Sequence, residues 1–187
     1  YKKKINNSRI LKSLKLLKNK FFLISLHREE NVDDKKKLMH FLESINSLCK
    51  LYKIPGIIST HYRTAKNIEK MNIKKKYLRF NKPFGFFDYI KLQKNSFITL
   101  SDSGTLSEES SLLGKTAVHL RHCTERPEGL ENGAIILSSF DKKKLITSIN
   151  LNKLKNKKIT NHQNYSNQNI SSIIAKSVIS FLNYYKK

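Results

Sequence analysis

Six short apolar runs rich in β-branched residues alternate with stretches whose apolar residues recur at helical spacing, and this alternation constrains the fold more than any other feature. The runs cover 21–26, 57–60, 77–80, 97–100, 117–120 and 134–138, the last an edge strand. Between and after them, helices are predicted over 34–52, 63–71, 87–93, 106–113, 127–133 and 141–154. Such spacing predicts an α/β fold, a doubly wound parallel sheet with helices on both faces. The punctuation agrees with it. Asp33 or Asp34 can cap the 34–52 helix, Pro55-Gly56 breaks the chain before a strand, Gly114 stops the 106–113 helix, and Asp141 caps the helix that follows. Residues 5–18 predict a helix ahead of the first strand. Residues 155–169, rich in Asn, Lys, Ser and Gln, read as a loop-like segment before a C-terminal helix at 170–185, whose apolar side holds Ile173, Ile174, Val178, Phe181 and Leu182. Residues 1–187 form a single domain without internal repeats.

Two polar clusters follow predicted strands, where ligands bind in open parallel sheets. Ser101-Asp-Ser-Gly-Thr-Leu-Ser-Glu-Glu109 joins a strand to a helix through a small-residue turn. The first amides of a helix lack internal partners and sit at its positive dipole end, so such a turn suits a phosphate, and Gly104 admits the oxygen close to the backbone. Ser103 and Thr105 add hydroxyls, and a carboxylate from Glu108 or Glu109 can grip ribose hydroxyls. A plain helix cap explains many similar turns. The second cluster, Ser25-Leu-His-Arg-Glu-Glu-Asn31, lies at the end of the first strand, so His27, Arg28, Ser103 and Arg126 can converge on one crevice.

These residues carry a resemblance. His27-Arg-Glu-Glu-Asn31, Ser101 to Glu109 and Thr124-Glu-Arg-Pro-Glu128 resemble, in order and spacing, three motifs of the non-hydrolysing UDP-N-acetylglucosamine 2-epimerase family. Gly104-Thr105 and Lys82-Pro-Phe-Gly-Phe-Phe-Asp-Tyr89 resemble most its capsule and O-antigen branch, which forms UDP-N-acetyl-L-fucosamine. The resemblance covers about residues 10–140 and only the family's C-terminal half. It implies the Rossmann-like C-terminal domain of a GT-B-like two-domain fold. The family's catalytic carboxylates lie chiefly on the other, N-terminal domain, so that domain is the implied partner, and the full-length isomerase is implied to be a homodimer. With 187 residues starting at Tyr1, the chain reads as a separated half or an excerpt that binds without catalysing.

The implied function is UDP-binding within a UDP-N-acetylhexosamine 2-epimerase that eliminates and re-adds UDP in surface polysaccharide precursor synthesis. His27 and Arg126 take the catalytic roles at the leaving diphosphate. Arg28, Tyr89, Ser103, Gly104, Thr105 and Glu109 take substrate-binding roles: the turn holds phosphates, Glu109 takes the ribose, and Phe84 to Tyr89 bound the uracil. Each residue has a structural alternative. His27 can satisfy a strand-end carbonyl, Arg126 can pair with Glu125 or Glu128, and Phe86 and Phe87 can be core. His61 resembles a position near a regulatory second-sugar site, while His119 and His122 receive no role. A stand-alone or decayed nucleotide-sugar binding module, or a GT-B glycosyltransferase domain, remains open.

The net charge of +23 would attract polyanions, but 31 of the 37 basic residues are lysines scattered among asparagines. Without arginine clusters or a reader motif, no specific nucleic-acid partner is expected. No apolar run approaches the ~20 residues of a membrane span, and no secretory signal is visible. Cys49 and Cys123 form no disulfide framework or metal pattern, which favours a reducing cytoplasm; no metal and no cofactor is assigned.

Overall fold

The computed structural model of the chain describes residues 1–71, 75–151 and 170–185. Six parallel strands, β1 (Phe22–Leu26), β2 (Gly56–Thr60), β3 (Leu78–Asn81), β4 (Ile98–Ser101), β5 (Ala117–His119) and β6 (Ile135–Leu137), lie in the order β3-β2-β1-β4-β5-β6. This is the doubly wound, Rossmann-like order, in which the chain reverses direction across the sheet between β1 and β4. Register there pairs Phe22 with Ile98 and Ser25 with Ser101.

Ten helices are described, of which α1 (Lys2–Asn7), α2 (Ile10–Ser13), α3 (Glu29–Val32), α4 (Lys35–Tyr52) and α5 (Tyr62–Lys70) precede β3. The others are α6 (Phe86–Asn95), α7 (Leu106–Leu113), α8 (Glu128–Glu131), α9 (Lys142–Leu151) and α10 (Ile170–Tyr185). The expected helix over 5–18 is instead two short helices, because Ser8 leaves helical geometry and its Oγ donates to Asp88 Oδ1 at 2.5 Å. Asp34 caps α4 by accepting from the Lys36 and Lys37 amides, and Gly114 ends α7 at φ 62. The expected loop over 155–169 and the side chains of Phe181 and Leu182 lie outside the described residues.

Alternation along the strands sends successive side chains to opposite faces. Phe22, Ile24 and Leu26 of β1 meet Leu38, Phe41, Leu42 and Ile45 of α4 and Leu145 and Ile149 of α9. On the other face Leu23 packs with Phe21, Ile57, Leu16 and Leu92 of α6, while Leu106 of α7 packs on Ala117 and Ile135. Burial of these side chains supplies most of the driving force, roughly 25 cal/mol per Å² of apolar surface. β1 is thus packed on both faces, and Ile98 and Leu100 of β4 join the α4–α9 side of the core. No helix among the described residues is long and apolar enough to cross a membrane.

Candidate functional site

β1 ends at Leu26 and β4 at Ser101, so His27 and Asp102 emerge side by side at the reversal point of the sheet. Asp102 is fully buried, and donors from the turn after β1 converge on it. His27 N–H donates at 3.2 Å, Arg28 N–H at 3.1 Å and Asn31 Nδ2 at 2.9 Å. His27 Nδ1 lies 3.1 Å from Oδ1. Burial opposes ionisation of Asp102, but the bonds from His27 and Asn31, the His27 charge and the Arg28 amide hold its pKa below the ordinary value. The same bond raises the pKa of His27, against burial and the Arg28 charge. Sequence reading had assigned Asp102 no role; its position inside the Ser101–Glu109 motif was the available signal.

After Asp102 the chain turns into α7. Thr105 is the N-cap residue, yet its side chain makes no cap hydrogen bond. Thr105 Oγ1 donates instead to Glu109 Oε1 at 3.0 Å. Its hydrogen being committed there, the Ser103 hydroxyl, 3.0 Å away, donates to Thr105. The hydroxyls form a chain ending on a carboxylate, and the first amides of α7 have no side-chain cap. Burial pushes the Glu109 carboxyl up, Thr105 and Gln93 oppose it, and the Glu108 charge adds to the rise.

Arg126 reaches the turn from the loop after β5. Its Nε lies 2.6 Å from Glu108 Oε1, an ion pair that joins the loop to α7. Glu125 is occupied by Arg121, which contacts both of its oxygens at 2.7 and 3.0 Å. That fork, and the Arg126 amide donating to Thr124 Oγ1 at 3.2 Å, shape the loop that carries Arg126. The contacts thus form two groups: Asp102 holds His27 and the turn after β1, while Arg126 lies over Gly104 and pairs with Glu108 beside the Ser103–Thr105–Glu109 chain.

The remaining residues are placed differently. Arg28 Nη1 donates to Glu30 Oε1 at 3.0 Å and lines a neighbouring hollow of about 390 Å³ with Arg121, Glu125 and Asp141. Tyr89 packs its ring against the α6-side core, and its hydroxyl reaches Ser25 and Ser101 beneath the crevice. Burial first, and the Glu109 charge second, push that phenol well above its ordinary range, so it stays neutral. Phe86 and Phe87 pack against each other and against Tyr1, and Phe86 is exposed. His61 heads α5 with its ring on Tyr62, beside a larger hollow of about 530 Å³ lined by Thr60, Ile68, Phe80 and Pro83. His119 is buried without a well-formed side-chain hydrogen bond, and burial lowers its pKa. Cys49 is buried, with its thiol pushed up to about 12 by that burial, and Cys123 is exposed.

A family model described as UDP-N-acetylglucosamine 2-epimerase matches residues 1–179. The UDP-N-acetylglucosamine 2-epimerase of Methanocaldococcus jannaschii is 38% identical over 143 residues, which are 73% of this chain and 39% of that protein. The UDP-2,3-diacetamido-2,3-dideoxy-D-glucuronate 2-epimerase of Pseudomonas aeruginosa is 33% identical over 117 residues, covering 63% of this chain and 32% of that one. The crystal structure of the M. jannaschii enzyme in complex with UDP-GlcNAc and UDP superposes with a TM-score of 0.78 at 31% identity, covering 94% of this chain and 50% of that one. The chain thus spans half or less of the length of these relatives. A family model that spans most of the chain, and a relative 38% identical over 73% of it, show that the chain belongs to the UDP-N-acetylglucosamine 2-epimerase family.

Proposed function

We propose that this chain is the UDP-holding half of a UDP-N-acetylhexosamine 2-epimerase. The observation that carries the reading is that Asp102, just before α7, holds the β1 turn while Arg126 pairs with Glu108 on α7, in a family whose M. jannaschii member is described in complex with UDP-GlcNAc and UDP. The uncapped amides of α7 and Arg126 take the diphosphate, and the Ser103 hydroxyl, at the open end of its chain, turns from Thr105 to donate to it while Thr105 stays on Glu109. Glu109 accepts the ribose hydroxyls. Gly104 leaves room for Arg126 above the turn.

The reaction begins when a base removes the C2 proton. The C1–oxygen bond breaks, UDP departs with the bonding pair, and a C1–C2 double bond forms. Protonation on the opposite face and return of UDP complete the inversion. Negative charge grows on the departing diphosphate, so fixed donors and the His27 and Arg126 cations stabilise the transition state more than the bound substrate. The C2 base belongs to the complementary half that the longer relatives carry. The Gly104-Thr105 turn and the Lys82–Tyr89 segment favour a substrate of the capsule and O-antigen type, and the full-length enzyme is a cytoplasmic homodimer in this reading.

Incubation with UDP-N-acetylhexosamine in heavy water tests the proposal. The full-length protein should place deuterium at C2 and release some free UDP, whereas this chain alone should bind UDP and exchange nothing. Exchange by the chain alone would show that it supplies its own base and would overturn the division of labour.

A further inference from the structure

The environment of Asp102 points to a role beyond that of a strand-end cap. An ionised carboxylate is tolerated at full burial only when paired and hydrogen-bonded. Asp102 meets this condition entirely through the turn that carries His27, using the His27 and Arg28 amides, Asn31 and the imidazole itself. The ring nitrogens lie on opposite sides of an imidazole. With Nδ1 turned to the buried carboxylate at 3.1 Å and the side chain 44% exposed, Nε2 points away from Asp102 on the partly exposed side of the ring. A carboxylate on Nδ1–H is also the usual way to fix a histidine tautomer.

We propose that Asp102 is the positioning residue for His27: it selects the Nδ1–H form, aims Nε2 at the departing diphosphate and stabilises the imidazolium there. The inference rests on reading the crevice as a nucleoside diphosphate site. His27 also faces the Arg28 charge, which opposes its protonation, and Asp102 is faced from β5 by His119, a neighbour of Glu125 and Arg28. The Asp102 bond outweighs burial and the Arg28 charge at His27, so the pKa of the ring is raised. His119, deprived of solvent, stays neutral and does not compete for the carboxylate.

The test is nitrogen NMR of the His27 ring in the native chain and in Asp102→Asn, first without ligand and then with UDP at several pH values. Neutral His27 in the native protein should be the Nδ1–H tautomer, the minor form of free histidine. In Asp102→Asn the ring should titrate at lower pH and pass to the Nε2–H form. UDP affinity of the variant at pH 7 should fall about tenfold, the worth of one charge-assisted hydrogen bond, and recover as solvent protonates the ring near pH 5.5. Removing a negative charge would by itself favour an anion, so a fall reports the lost imidazolium. An Nε2–H tautomer in the native protein, or an unchanged His27 titration in the variant, overturns the proposal. The native tautomer decides alone if the variant does not fold. UDP failing to bind either protein, while His27 responds to the substitution, refutes the UDP reading and leaves the positioning role standing.

Discussion

Arg126 lies directly over Gly104: a Cβ built on residue 104 would stand 2.5 Å from Arg126 Nη1. The glycine leaves room for the guanidinium rather than for the fold, since the obstructing atom is the far end of a flexible side chain that can swing away. Gly104→Ala should therefore fold with a melting temperature close to native. The displaced guanidinium should weaken UDP binding about as much as Arg126→Ala. A melting scan beside a UDP titration checks both halves; a large loss of stability would contradict this account of the glycine.

Thr105 donates to Glu109 and helps to hold that carboxyl down against burial. Thr105→Val removes the donor at nearly constant volume, so the Glu109 pKa should rise further. Protonated Glu109 accepts ribose hydroxyls less well, and the acid-side fall of UDP affinity should begin at higher pH than in the native chain. Affinity at pH 8 should drop only about threefold to tenfold, one hydrogen bond's net worth. Titrations across pH 5–8 check it.

The His27–Asp102 bridge makes stability depend on pH with a definite sign. The pKa of His27 is raised from 6.5, so its contribution is complete below 6.5 and is lost as pH rises through the elevated value. That of Asp102 is lowered from 3.8, so its contribution is present above 3.8 and is lost as pH falls through the depressed value. The difference in urea midpoint between the native chain and His27→Gln should accordingly be largest between these two ordinary values and shrink on both sides. A difference independent of pH would refute the bridge.

Gly129 joins α8 to α7. An added Cβ would lie 2.9 Å from the Ser107 Cβ and 3.0 Å from Ile135 Cγ1, against packed atoms. Gly129→Ala should cost about 1–3 kcal/mol, the usual range for overpacking. Because α8 follows Arg126 in the chain, UDP affinity should decline with it. Chemical denaturation measures the first effect and calorimetry the second.

Strands, helix stops and caps were legible because each is written locally: Asp34 bonds to amides two and three residues on, and Gly114 closes its own helix. Long-range partners were not. Ser8 splits the first helix by reaching Asp88, and Arg126 takes Glu108 because the adjacent Glu125 is already held by Arg121. Asp102 went unassigned since its donors lie 71 to 75 residues earlier, and only strand pairing brings them together. The contact of Phe86 and Phe87 with Tyr1 spans about 85 residues of chain and has no local signal in the sequence. Motif order marked the crevice, while the ion pairs inside it depend on tertiary packing.

Calorimetric titration of UDP into the purified chain, beside Ser103→Ala and Arg126→Ala, tests the central claim most directly. The account predicts binding by the native chain and a loss of about tenfold for each substitution, as expected for hydrogen bonds to a charged ligand. Equal affinity in all three proteins, or no binding by the native chain, would contradict it.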